Sequence, residues 1–126
     1  MYSGKEGNGQ TYRTTILLTL RQIIHAVDAY SRKLAANYRV TGPQLICLHS
    51  IVEQEPVSQT ELARRVSLSP GTVNGILDRL ENREWIRRER DECDRRRVLL
   101  WATEAGRELI DEAPPPLQDI LAGAIN

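Results

Sequence analysis

The chain has 126 residues, long enough for one domain with its own core and too short for two of ordinary size. Hydrophobic content of 40% and charged content of 27% are ordinary for a globular protein, and no apolar run approaches the ~20 residues that span a bilayer, so no membrane role follows. Seventeen Lys and Arg balance seventeen Asp and Glu, which argues against indiscriminate binding to polyanions and leaves the distribution of charge to decide.

Residues 1–10 are polar and Gly-rich without an apolar stretch, and read as a flexible arm rather than a signal peptide, which points to the cytoplasm. From Thr11 to Arg39 the residues Leu17, Leu20, Ile24, Val27 and Leu34 recur at helical spacing. A helix this long exceeds the about three or four turns usual in a small domain, and its further apolar residues Ile16, Ile23 and Tyr30 need cover, for which a partner subunit is one candidate. Thr41-Gly42-Pro43 breaks the pattern and restarts it, with Thr41 as N-cap and Pro43 in the first turn. A second helix is predicted from about Pro43 to Glu53, burying Leu45, Leu48, Ile51 and Val52.

Ser58-Gln59-Thr60-Glu61 has the form of a reciprocal capping box and starts a third helix, with Leu62, Ala63 and Val66 inward and Arg64 and Arg65 outward. After a tight turn at Ser67-Leu68, Ser69 caps a fourth helix with Pro70 at its first position and Val73, Ile76, Leu77 and Leu80 on the buried face. Its other face opens with Gly71, Thr72, Asn74 and Gly75. Small, hydrogen-bonding groups suit a surface that enters a major groove, where Asn74 can pair bidentately with adenine and Thr72 can hydrogen-bond or touch a thymine methyl.

Residues 85–90 and 98–102 favour β-structure and flank a charged segment, which predicts a hairpin whose tip carries Arg95, Arg96 and Arg97. An arginine projected there can enter a minor groove, where negative potential is focused. Thr103 caps another helix with Leu109 and Ile110 on its apolar side, and Pro114, Pro115 and Pro116 interrupt it. Leu117, Ile120, Leu121 and Ile125 resume helical spacing until Asn126, the pattern expected of a chain shortened at its C-terminal end. Cys47 falls in an apolar helical pattern and reads as a small core residue, whereas Cys93 falls in the charged hairpin tip. No nucleophile, base and orienting set, phosphate loop or metal-ligand spacing is present, so the sequence predicts no enzyme and no cofactor.

Gln59-Thr60-Glu61-Leu62-Ala63, Leu68 to Val73, Leu77 to Glu81, Asp94-Arg95-Arg96 and Thr103 to Gly106, with Thr41 to Leu45 upstream, together resemble the MarR family of bacterial transcriptional regulators. The resemblance implies a mainly α fold with a small β-hairpin wing. Residues 11–126 would form a single domain, with dimerisation helices at 11–40 and 104–126 around a winged helix-turn-helix lobe at 41–103. It implies a homodimeric regulator, read as a repressor, that binds a pseudo-palindromic operator in double-stranded DNA and responds to a small molecule. Carried over by position, Ser69, Pro70, Gly71, Thr72 and Asn74, with Arg79 farther along, are the major-groove readers. Arg96 matches the wing arginine, Arg95 stands beside it, and Asp94 braces the wing. Arg64, Arg65, Arg83, Arg87 and Arg88 are phosphate partners, which position a protein without reading sequence.

An effector site is expected near His25, Tyr30, Tyr38 and His49, where the dimer helices meet the winged lobe. Three departures from the family stand out. Glu84 occupies the usual glycine position after the reading helix, which disfavours a left-handed cap. Gly75 replaces a larger polar residue, and the final helix is missing, which would weaken a dimer. The competing reading is a winged-helix module that binds protein without sequence-specific DNA recognition.

Overall fold

The computed structural model describes residues 3–115, and the side chains of residues 9–115. The resumed spacing at Leu117, Ile120, Leu121 and Ile125 lies outside the described residues. Eight elements follow in order: α1 (Ser3–Tyr38), α2 (Gly42–Gln54), β1 (Val57–Ser58), α3 (Gln59–Val66), α4 (Pro70–Asn82), β2 (Ile86–Arg90), β3 (Val98–Ala102) and α5 (Glu104–Glu112). The architecture is mainly helical with one three-stranded antiparallel sheet. Among the described residues no helix is long and apolar enough to cross a membrane.

Two compact units divide the chain: Leu34–Pro114, and the residues on either side of it. The first part of α1 belongs to the second of these. From Ser3 onward the segment expected as an arm is helix, because an established helix propagates at the cost of one residue at a time, even through Gly4, Gly7 and Gly9. Ile16, Leu17, Leu18, Leu20 and Ile24 are each about half exposed or more. Tyr30 is buried, and burial raises its hydroxyl above the ordinary tyrosine range.

Within Leu34–Pro114 the core gathers Cys47, Leu48 and Ile51 of α2, Leu62 and Ala63 of α3, Val73, Leu77 and Leu80 of α4, Ile86, Leu100 and Ala102 of the sheet, and Leu109 of α5. Full burial of each large aliphatic side chain contributes about 1.5–3 kcal/mol. Cys47 is fully enclosed there, and burial pushes its thiol up to about 11.

The strands run β1-β3-β2, with Ile86 opposite Ala102 and Arg88 opposite Leu100. β1 has no counterpart among the sequence expectations. Val57 and Ser58 pair with Leu100 and Leu99, too short a segment to show alternation.

Helix ends follow local chemistry, with two surprises. The complete capping box lies at Thr41 and Gln44, whereas at Ser58 only half forms: the Glu61 N–H donates to the Ser58 hydroxyl at 3.1 Å, but the Glu61 carboxylate faces Arg64 and Arg65. Glu84 takes φ of 60° despite being no glycine, correcting the expectation that it would disfavour a left-handed cap. Its N–H donates to the Glu81 carbonyl at 2.9 Å and that of Trp85 to the Leu80 carbonyl at 3.0 Å, closing a Schellman motif. Two hydrogen bonds plus the half-buried Trp85 outweigh the steric cost. Ser67 closes α3 the same way, with φ of 57°.

Candidate nucleic-acid interface

The turn between α3 and α4 sets the leading end of α4. Ser69 accepts the Thr72 N–H at 3.2 Å and donates its hydroxyl to Thr72 Oγ1 at 2.8 Å. Pro70 then fixes the first helical position without leaving a donor unmatched. Ser69, Pro70, Gly71, Thr72, Asn74 and Gly75 are all exposed. A side chain built at Gly71 or Gly75 would meet nothing within 4 Å, and neither glycine has positive φ, so their smallness serves no need of the fold.

Asn74 does not hang free. Its Oδ1 accepts from Gln59 Nε2 at 3.2 Å and from Arg88 Nη1 at 3.4 Å, which leaves its amide hydrogens outward. Arg88, expected among the phosphate partners, is the least exposed of them, and its Nη2 lies 2.5 Å from Asp78 and 3.0 Å from Glu81. Burial alone would lower its pKa, but Glu81 and Asp78 outweigh it and hold the guanidinium above its ordinary value. Arg88 therefore joins β2 to α4 instead of standing free on the surface.

The remaining arginines divide by their partners. Arg64 and Arg65 share Glu61 at 2.9 and 3.3 Å, and Arg87 pairs with Glu89 at 3.1 Å while lying over the Trp101 ring. Arg83 stacks 4.0 Å from the Trp85 ring centre and donates to the Arg39 carbonyl. Arg79 and Arg95 have no carboxylate partner among the described residues. Exposed pairs of this kind exchange readily for other anions, since each is worth little in water.

At the wing tip, aspartates organise the backbone. The Cys93 N–H donates to Asp91 Oδ1 at 2.9 Å, the Arg96 N–H to Asp94 Oδ1 at 3.1 Å, and the Arg97 N–H to the Asp94 carbonyl at 2.9 Å. Arg96 reaches Asp94 only at 3.5 Å, with its side chain 94% exposed.

Gln59, Asp78, Glu81 and Asp91 belong to this face and were not singled out from sequence. Asn74, Asp78 and Glu81 share one side of a helix by their spacing of four and seven, so the acidic stripe was legible; that Arg88 meets it depends on the hairpin folding back. The residues expected at an effector site are each described within their own unit. His25 is exposed, Tyr38 donates to the Glu112 carbonyl at 2.9 Å, and His49 lies 3.4 Å from Glu53. The Tyr30 hydroxyl is buried with no partner among the described residues.

Comparison with known proteins accords with this geometry. The MarR family profile matches residues 40–98. The HTH-type transcriptional regulator TtmR of Methylorubrum extorquens is 38% identical over 85 residues, covering 68% of this chain and 44% of TtmR. The HTH-type transcriptional repressor NicR of Pseudomonas putida is 29% identical over 110 residues, covering 85% of this chain and 70% of NicR. The chain thus spans less than half the length of TtmR. Among solved structures, Bordetella bronchiseptica BpsR, whose DNA binding is regulated by 6-hydroxynicotinic acid, superposes with a TM-score of 0.69 at 26% identity, covering 83% of this chain and 75% of BpsR. Residues 40–98 of the chain thus belong to the MarR family.

Proposed function

We propose that the chain is a sequence-specific DNA-binding transcriptional regulator, a repressor, working in the cytoplasm as a homodimer on a pseudo-palindromic operator. The observation that carries this is the leading end of α4: exposed, free of bulky side chains, and held in one orientation by Ser69, Thr72 and the Asn74–Arg88 contact. Such preorganisation favours base-edge hydrogen bonds, because less freedom is lost on binding.

In this reading Ser69 to Asn74 face the bases and Arg96 enters the minor groove from the wing, with Arg95 beside it. Arg64, Arg65 and Arg87 meet phosphates, Asp94 shapes the wing, and Arg88 positions α4. The exposed apolar residues of α1 support the dimerisation role of 11–40, with 104–126 completing it, because monomers rarely leave such a stripe uncovered. A two-fold dimer would place its reading helices on half-sites about 10 bp apart. Effector control, as for BpsR, is part of the same reading. Of the four residues expected to serve it, Tyr30 supplies a buried hydroxyl that lacks a partner among the described residues.

The test is binding to random duplex and to a selected duplex at two salt concentrations. The expected result is tighter binding to the selected duplex, and affinity for both that falls steeply with salt as condensed counterions are released. Affinity indifferent to salt, or no binding, would instead favour the protein-binding module.

A further inference from the structure

A cleft of about 430 Å³ opens at the opposite end of α4, lined by Ala35, Arg39, Val40, Thr41, Gln44, Arg79, Asn82 and Arg83. Its volume falls in the range of small-ligand sites. Three of those residues are arginines and none is acidic, in a chain whose total charge is zero. Several arginines outside the cleft find carboxylates, although Arg90 and Arg95 do not among the described residues: Arg64 and Arg65 share Glu61, Arg88 meets Asp78 and Glu81, Arg97 meets Asp91, and Arg107 meets Glu55. Here Arg39 and Arg79 have no such partner among the described residues, and Arg83 is held in place by the Trp85 ring and the Arg39 carbonyl.

Gln44 adds a neutral donor to the lining. Its side chain lines the cleft although the residue is only 8% exposed. Its Oε1 accepts the Thr41 N–H at 3.1 Å, while its Nε2 has no hydrogen-bond partner among the described residues. That amide end keeps access to solvent, so it can exchange water for an acceptor seated in the cleft. The N-terminus of α2 also opens here, adding its positive dipole end to the guanidiniums.

We infer that this cleft binds a small, multiply charged oxyanion, a phosphate ester or polycarboxylate, through Arg39, Arg79, Arg83 and the Gln44 amide. The lining has only Ala35 and Val40 as apolar residues and no aromatic ring, which disfavours a flat hydrophobic ligand. The site is separate from the base-reading end, because the helical rise from Ser69 to Arg83 amounts to about 20 Å. Arg79 and Arg83 are also expected from the family resemblance to contact DNA, so the test has to separate a diffusible anion from a backbone phosphate.

The test follows the arginine Nε–H and Gln44 side-chain amide signals by ¹⁵N NMR while pyrophosphate and, separately, citrate are added to the full chain, with ionic strength held constant by sodium chloride. Saturable shifts at these groups are expected. In the double variant Arg39→Gln, Arg79→Gln, affinity should fall at least about ten-fold, since two charge-assisted contacts are lost, with the thermal midpoint unchanged. Shifts that sodium chloride reproduces, or unchanged affinity in the double variant, overturn the inference. A second arm repeats the titration with duplex bound: continued saturation supports a diffusible ligand, whereas duplex that itself moves these signals and blocks the anion assigns the cleft to a backbone phosphate and overturns it.

Discussion

Arg88 donates to the Asp78 carboxylate at 2.5 Å across the junction of β2 and α4, and its other Nη reaches Asn74 on the exposed face of the same helix. The orientation of α4 is thus coupled to the base of the wing. Arg88→Gln should cost about 1–3 kcal/mol of stability, because the acidic stripe loses its counter-charge. It should weaken operator binding while leaving the salt slope intact, measured by titration at several salt concentrations. Arg96→Ala should do the reverse, lowering the slope by about one unit with no change in melting temperature. Exchanged outcomes would reverse the two roles.

Asn74 keeps its amide hydrogens outward while its oxygen is shared by Gln59 and Arg88. Asn74→Ala should cost about 1–3 kcal/mol at one base pair and little elsewhere. Competition with operators varied at each position locates that pair; a loss spread evenly over all positions would contradict base reading by Asn74.

Glu84 holds a left-handed backbone that glycine adopts without strain. Glu84→Gly should raise stability by about 1 kcal/mol, a melting shift of a few degrees for a chain of this size. An unchanged or lowered midpoint would mean that the glutamate side chain stabilises the turn by as much as its backbone strains it.

Gly106 is the opposite case. A Cβ there would sit 2.2 Å from the Trp85 carbonyl oxygen, which also accepts the Thr103 N–H at 3.0 Å. Gly106→Ala should destabilise by about 1–3 kcal/mol or more, whereas Gly75→Ala, in open space on a helix, should stabilise by about 1 kcal/mol. Calorimetry of the two variants checks the contrast, and equal effects would contradict the close approach.

Glu55 joins α2 to the far side of the lobe, accepting from the Ala102 N–H at 2.8 Å and from Arg107. Burial alone would raise its pKa, but Arg107 and the Ala102 N–H outweigh it and hold the carboxyl below the ordinary glutamate range. A lowered folded-state pKa means stability that is fully present above the unfolded value and lost as pH falls through the folded one. Relative to Glu55→Gln, the native chain should hold an advantage on the order of 1 kcal/mol at neutral pH that shrinks below about pH 4.3. Denaturant unfolding at a series of pH values measures it; an advantage that grows on acidification would contradict the sign.

Elements with strong local signals were legible in the sequence: the caps at Thr41, Ser58, Ser69 and Thr103, and the apolar spacing of α2, α3 and α4, all stand where local chemistry puts them. What escaped depends on residues distant in sequence. β1 exists because Leu99 and Leu100 are available to pair with it, and Glu61 abandons half its capping box because Arg64 and Arg65 compete for the carboxylate. The exposed groups of α4 follow from helix geometry alone, but the conversion of Arg88 from surface charge to internal brace required the hairpin to fold back on α4.

At the wing, Asp91 and Asp94 hold the tip through backbone N–H groups, so the loop's path owes little to the side chains of Arg95 and Arg96. Those two positions can therefore be randomised as a library on a fixed frame, and binding preference can drift or be selected there without a toll on folding.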